Sequence, residues 1–149
     1  MSEHQATIEW KRETPEFTYD TYNRDHDWRF DSGVTVRGSA TPGFLGNASC
    51  VDPEEAFVAS ISSCHMLTFL AIAAKRRYVL ESYRDEAVGV MGKDATGTLA
   101  MIRVTLHPEV SFSGENRPDL EELRRLHDQA HHACFIANSV KAEVVVDVR

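Results

Sequence analysis

The sequence predicts an α+β fold with antiparallel sheets and two main helices. Three observations carry that prediction. Short stretches alternate apolar and polar residues, as half-buried strands do. Two longer stretches carry helix start and stop signals. The order is strands, helix, strands, helix, strand, which segregates the elements instead of alternating them as βαβ units. A chain of 149 residues suits one domain, 1–149, and buries about 70% of its unfolded surface without staples.

Ala6 to Arg12 reads as a first strand, broken by Thr14-Pro15-Glu16. Phe17 to Tyr22 is expected to be extended, because Phe17, Tyr19 and Thr21 alternate with Thr18, Asp20 and Tyr22. The polar run Tyr22-Asn23-Arg24-Asp25-His26 follows. Trp28 and Phe30 lead into Asp31-Ser32-Gly33, and Val34 and Val36 lead out, which predicts a hairpin. Pro42 to Ser49 is a glycine-containing loop.

The central helix is expected over Asp52 to Arg77. Asp52 suits the N-cap and Pro53 the first helical position. Glu54 and Glu55 at the start, and Lys75, Arg76 and Arg77 at the end, complement the helix dipole. From Ala56 to Ala74 the helix is uncharged and apolar nearly all round, near the lower limit of a membrane span. Ser60, Ser62, Ser63, His65 and Thr68 interrupt that run and both ends are capped, so a buried core helix is expected.

Beyond it, Val79 to Met91 is one strand or two pieces, Lys93 to Gly97 is a turn, and Leu99 to Leu106 is a strand with Ile102, Val104 and Leu106 on one face. Pro108 ends or bends that strand. After a polar loop, Ser113 to Arg117, Pro118 opens a second helix that ends near Cys134, with Leu120, Leu123, Leu126, Ala130 and Ala133 as its buried stripe. Val140 to Val148 closes the chain as a strand.

The composition is that of a soluble globular protein, 42% hydrophobic and 26% charged. A net charge of −7 without a basic stripe disfavours nucleic-acid binding. The N-terminus lacks a basic region followed by an apolar one, so a cytoplasmic protein without membrane attachment is expected. Three cysteines without regular spacing do not make a disulfide scaffold.

Cys64 stands in the middle of the central helix, with Ser60 and Thr68 one turn to either side. It is about three turns from the helix start, too far for the dipole to stabilise a thiolate. Burial among apolar groups raises a thiol pKa, so a reactive Cys64 needs a cation from elsewhere. Arg24 is the first candidate, and Arg37 and Arg12 are the next. The other reading is that Cys64 is a small core residue, since free cysteine is among the most buried residue types. Cys134, at the end of the second helix, suits a resolving partner that condenses with an oxidised Cys64. Cys50 reads as a loop thiol without function, or a substitute resolving thiol. A competing class is a metal-binding protein. His127 and His131 lie four apart on one helix, and His132, Cys134 and His65 could complete a ligand set. A non-catalytic binding domain is the third class.

Asp52-Pro53-Glu54-Glu55, then Ser62-Ser63-Cys64-His65, then Ala130-His131 through Cys134 with Asn138-Ser139, resembles the OsmC/Ohr family, the osmotically inducible and organic hydroperoxide resistance proteins. The resemblance covers nearly the whole chain. It implies an OsmC-like fold, an intertwined homodimer with active sites at its interface, and a thiol-dependent peroxidase acting on organic hydroperoxides or hydrogen peroxide. It makes Cys64 the peroxidatic and Cys134 the resolving cysteine. It makes Glu54 the group that orients an activating arginine, for which Tyr22-x-Arg24-x-His26 looks like a branch-specific version. It also implies an external dithiol reductant, in this family a lipoyl group carried on a protein, and no metal or organic cofactor. The chain departs from the family in Phe135, where proline usually follows the second cysteine, and in His65, where better-known members carry phenylalanine. Ten residues of helix span about 15 Å, so Glu54 and Cys64 cannot touch within one straight helix.

Overall fold

A computed structural model describes residues 1–149, which divide into two compact units, Met1–Ala56 and Phe57–Arg149. The first is an antiparallel sheet of β1 (Ala6–Glu9), β2 (His26–Phe30) and β3 (Thr35–Gly38), in the order β1-β2-β3. Trp28 lies opposite Ile8 on one side and Val36 on the other. The hairpin between β2 and β3 turns at Asp31-Ser32-Gly33 as expected, with Gly33 at φ 83°, a left-handed conformation that glycine adopts without a steric cost. Gly38 is fixed by close approach instead, because a Cβ there would stand 2.5 Å from Trp28 Nε1.

Phe17 to Tyr22 is not a strand. The Tyr22 amide donates to the Thr18 carbonyl at 3.0 Å, and the Thr18 and Thr21 hydroxyls are 2.7 Å apart. Threonine hydroxyls favour such local turns, and the turn lets Phe17 and Tyr22 pack on Trp10, the three ring pairs having centroids 5.3 to 6.5 Å apart.

Helix α1 (Pro53–Lys75) runs unbroken. Its start is a reciprocal capping box: Asp52 Oδ1 accepts from the Glu55 amide at 2.7 Å, and Glu55 Oε2 accepts from the Asp52 amide at 3.1 Å. Its end is a Schellman turn. Arg77 sits at φ 63°, its amide donates to Ala74 O at 2.9 Å, and the Tyr78 amide donates to Ala73 O at 3.1 Å.

In the second unit α1 packs with α2 (Leu120–Ala133), β4 (Val79–Asp85), β5 (Val88–Lys93), β6 (Leu99–Leu106), β7 (Pro108–Ser113) and β8 (Glu143–Val146). The pairs β4–β7 and β5–β6 are antiparallel. β8 adds to the free edge of β6 in parallel, Arg103 opposite Glu143 and Leu106 opposite Val146. The Val79–Met91 stretch is therefore two strands, and β7 is a strand where only the bend at Pro108 was expected. α2 begins after Asp119, whose carboxylate accepts from the Glu122 amide, one residue beyond Pro118.

The expectation of a helix buried all round is corrected. α1 buries a single stripe, Ile61, His65, Phe69 and Ala73, one residue per turn, while Leu67 remains 60% exposed. By length and composition alone α1 could cross a membrane. Its stripe serves two apolar clusters. Phe69 and Ala73 join Leu126 and Ala130 of α2 over Leu80 and Phe112. Ile61 joins Val104 and Leu106 over Val58 and Val146. His65 falls between the two along the stripe. Ser62 Oγ donates to Asp85 Oδ2 at 2.5 Å, and Asp85 Oδ1 accepts from the His107 amide at 2.6 Å, so one carboxylate ties α1 to β4 and to the bend before β7.

Candidate functional site

The second unit brings Cys64 and Cys134 together. The two thiols are near enough for Cys64 to raise the pKa of Cys134. Cys64 is half-buried on α1, and Cys134 is fully buried as the C-cap residue of α2. The Cys134 sulfur accepts weakly from the Ala137 amide at 3.5 Å. Burial pushes its thiol pKa up, and so does the Cys64 thiol, against the opposing pull of the Ala137 and Ile136 amides. Cys134 is therefore held protonated. Thr68 and Ser60 do not serve the thiol, because their hydroxyls donate to the backbone carbonyls of Cys64 and Phe57 at 2.9 and 2.7 Å.

Below the thiol pair the two helices meet along an antiparallel seam. Cys64 faces Cys134, His65 bonds His127, and Phe69 stacks on the His127 ring at 4.2 Å between centroids. Arg76 closes the far end on Glu122 at 2.6 Å and Gln129 at 3.1 Å. In the middle, His65 Nε2 and His127 Nδ1 are 3.0 Å apart in nearly coplanar rings, 4° between planes. Burial, with His131 facing it, pushes His65 down to about 4, against the attraction of Asp85. Burial and the His65 ring push His127 to about 4 as well. Both rings are neutral at pH 7. Their outer nitrogens, His65 Nδ1 and His127 Nε2, are buried without partners, as are His131 Nδ1 and the Tyr83 hydroxyl. The sequence grouped His127 with His131 as metal ligands. The fold turns His127 onto His65 instead, and no three of these side chains are arranged to hold a metal ion.

Arg24 and Glu54 lie in the first unit, in local roles. Arg24 donates to Tyr22 O at 2.8 Å and Tyr19 O at 2.6 Å and lies over the Tyr22 ring at 3.9 Å, closing the 18–22 turn. Its neighbours in the polar run are also structural. Asn23 donates to Lys11 O and accepts from the Glu13 amide, both at 2.8 Å. Trp28 Nε1 donates to His26 Nε2 at 2.6 Å, which leaves the His26 proton on Nδ1, facing Arg24 O at 2.8 Å. Arg37 pairs with Asp27 at 2.9 Å and Glu13 at 3.8 Å. Arg12 donates to Thr14 O and Pro15 O, both at 2.7 Å. Glu54 is the second residue of α1, half-buried, and leaves the capping role to Glu55. Cys50, also in this unit, sits against Asp25; burial raises its thiol pKa and the neighbouring carboxylate adds to the effect.

Comparison with known proteins identifies the family and the fold. The family model for OsmC-like proteins matches residues 46–149. An OsmC-like protein of unknown function from Vibrio cholerae is 50% identical over the full length of both chains, with a TM-score of 0.97. An organic hydroperoxide resistance protein from Elizabethkingia anophelis is 19% identical over 98% of this chain and 93% of its own, with a TM-score of 0.73. The organic hydroperoxide resistance protein OhrB of Bacillus subtilis is 17% identical over 99% and 98%, with a TM-score of 0.70. The last two likenesses show the fold. A search of curated proteins finds no match.

Proposed function

Because the chain belongs to the OsmC-like family, we propose that it is a thiol-dependent peroxidase that reduces organic hydroperoxides or hydrogen peroxide. The observation that carries this is the proximity of Cys64 and Cys134, a half-buried thiol on one helix near a buried one at the end of another. Fold neighbours named for organic hydroperoxide resistance support it.

The Cys64 thiolate attacks one peroxide oxygen. The O–O bond breaks, the sulfur becomes a sulfenic acid, and an alkoxide or hydroxide leaves and takes up a proton. Cys134 then attacks the Cys64 sulfur, a disulfide forms, and water leaves. An external dithiol, such as a lipoyl group on a protein, restores both thiols. Metal or organic cofactors play no part in this cycle.

Arg24 is the cation we assign to the Cys64 thiolate, with Glu54 orienting it. Of the three candidate guanidinium groups, Arg37 is paired with Asp27 and Glu13, whereas Arg24 and Arg12 bond only carbonyl oxygens. The exposed apolar side of α1, with Leu67 at its centre, suits the intertwined homodimer that we propose with this function. A reducing cytoplasm would keep the three cysteines free between turnovers.

The test is intact mass and free-thiol count after one equivalent of cumene hydroperoxide, on wild type and on Cys134→Ser. Loss of both thiols in wild type, with a sulfenic acid trapped in Cys134→Ser, is the expected result. A Cys64 that stays reduced at many equivalents would make the thiol a core residue and the chain a binding protein on this fold.

A further inference from the structure

Oxidation would join two sulfurs that the fold treats unequally. Cys64 is half-buried in the middle of α1, whereas Cys134 is fully buried where α2 ends. The chain turns there, leaving Phe135 81% exposed while Cys134 stays inside. The turn is tied by its own bonds. The Asn138 amide donates to Cys134 O and the Ser139 amide to Ile136 O, both at 3.0 Å. The Asn138 side chain donates to His132 O at 3.0 Å, and the Ser139 hydroxyl to Phe135 O at 2.7 Å. The Ala137 amide is directed elsewhere: it donates to the Cys134 sulfur, at 3.5 Å.

No backbone amide or hydroxyl of α1 does the same for Cys64. Its side chain leaves the interior of a continuous helix, where amides bond carbonyls four residues back. The hydroxyls one turn away, Ser60 and Thr68, also donate to carbonyl oxygens. In thiol–disulfide exchange the incoming thiolate must reach one sulfur, and the other departs as a thiolate. Access therefore favours attack on Cys64, and the amide favours departure of Cys134. A cation beside Cys64 has two effects. It draws an anionic attacker to that sulfur, and it also makes Cys64 the better leaving group. The second effect comes into play only if the attacker reaches Cys134, which has no exposed surface.

We propose that a dithiol reductant attacks the oxidised pair at Cys64, and that Cys134 departs as a thiolate held by the Ala137 amide. The inference rests on the pairing of Cys64 with Cys134 in the proposed function. One thiolate of the reductant bonds to the Cys64 sulfur as the S–S bond breaks, and the electron pair of that bond leaves on Cys134. The Cys134 thiolate takes up a proton given up by the reductant. Burial raises its pKa, so it stays protonated and does not close back on the mixed disulfide. The second thiolate of the reductant then attacks the reductant's own sulfur in that mixed disulfide. A cyclic disulfide leaves, and Cys64 is released as the thiolate with which the next turnover begins. The dithiol ends oxidised and both cysteines end reduced.

The experiment closes the disulfide with one equivalent of diamide, which needs no peroxide chemistry. It then adds 2-mercaptoethanol, a probe whose single thiol cannot complete the second exchange. After quenching with N-ethylmaleimide, peptide mass spectrometry locates the adduct. Native wild type should carry it on Cys64 at least about tenfold more often than on Cys134, and urea-unfolded protein should show no such preference. Adduct shared equally, or found chiefly on Cys134, would overturn the inference, as would a full preference that survives unfolding. Ala137→Pro removes the N–H, and Ala137→Gly keeps it. Reduction by dithiothreitol should slow roughly tenfold in the proline variant and stay within about twofold of wild type in the glycine variant. Equal rates in the two variants would overturn the role of the amide. The adduct map on wild type decides the site of attack should the proline variant fail to fold. A protein that shows the Cys64 preference after diamide and ignores cumene hydroperoxide would remove the peroxidase assignment and leave this inference standing. One that reduces the peroxide and carries the adduct on Cys134 would do the reverse. If diamide closes no bond between Cys64 and Cys134, the inference falls with the pairing it rests on.

Discussion

Acid should loosen the α1–α2 seam before it unfolds a typical protein of this size, and the loss can be worked from the two imidazoles. Both are pushed from 6.5 to about 4, burial being the larger cause in each. A folded-state pKa below the unfolded one means that the unfolded chain binds more protons between the two values. The stability tied to the neutral rings is therefore complete above about pH 6.5 and is lost progressively as pH falls toward 4. At about 1.4 kcal/mol per pKa unit, one ring contributes about 3 kcal/mol over that window. The second adds less than the same again, because the proton between the rings is shared. Against a total stability of about 5–15 kcal/mol this is a large fraction. Urea denaturation from pH 7 to pH 4 would measure it, with the double variant His65→Phe/His127→Leu as reference, since the remaining carboxylates titrate in both proteins. Wild type should lose about 3 to 6 kcal/mol more than the double variant. The double variant should be the more stable at pH 7, because the unpartnered nitrogens are gone. Parallel curves for the two proteins, or a ring titrating near 6.5 by NMR, would refute the reasoning.

Two further expectations concern individual arginines. Replacing Arg24 by methionine should lower the rate of Cys64 oxidation by roughly 10²-fold, the scale of losing one preorganised charge at a reacting centre, whereas Arg37→Met should stay within about threefold; stopped-flow peroxide reduction distinguishes them. Arg77→Gly should raise the thermal midpoint, because a side chain held at φ 63° costs about 1 kcal/mol that glycine avoids; a lower midpoint would mean that the Arg77 side chain contributes more than the backbone strain removes.

The parts of the fold written in short-range chemistry were legible in the chain. Asp52, Pro53 and Glu55 specify the start of α1, and Asp31-Ser32-Gly33 specifies the hairpin, because caps and turns are made by residues within a few positions of each other. Phe17 to Tyr22 misled because alternating rings and threonines satisfy the strand period, while the hydroxyls and the aromatic packing on Trp10 favour a turn. β7 was missed because Pro108 reads as a stop, although a proline is tolerated as the first residue of a strand. In the site, two cysteines on two helices were legible as a pair. The partner of His127 was not. α1 is apolar on every side, so no stripe stands out in its sequence, and only packing against the sheets and α2 selects Ile61, His65, Phe69 and Ala73. The local backbone bonds of the polar run were not legible either: Asn23 bonds Lys11 O, Arg24 bonds Tyr19 O and His26 faces Arg24 O.

The parallel seat of β8 against β6 sets an order of assembly. Arg103 must find Glu143, 40 residues further on, before the β5-β6-β8 sheet is complete. Such distant pairing is slow, because the closure entropy is lost before contacts repay it. β7, α2 and Cys134 all lie inside that ring of chain. During synthesis Cys64 emerges with its helix long before β8 exists. The strand β8 thus acts as a latch on the segment that carries Cys134: a nascent chain that has not reached Glu143 carries Cys64 without the completed β5-β6-β8 sheet.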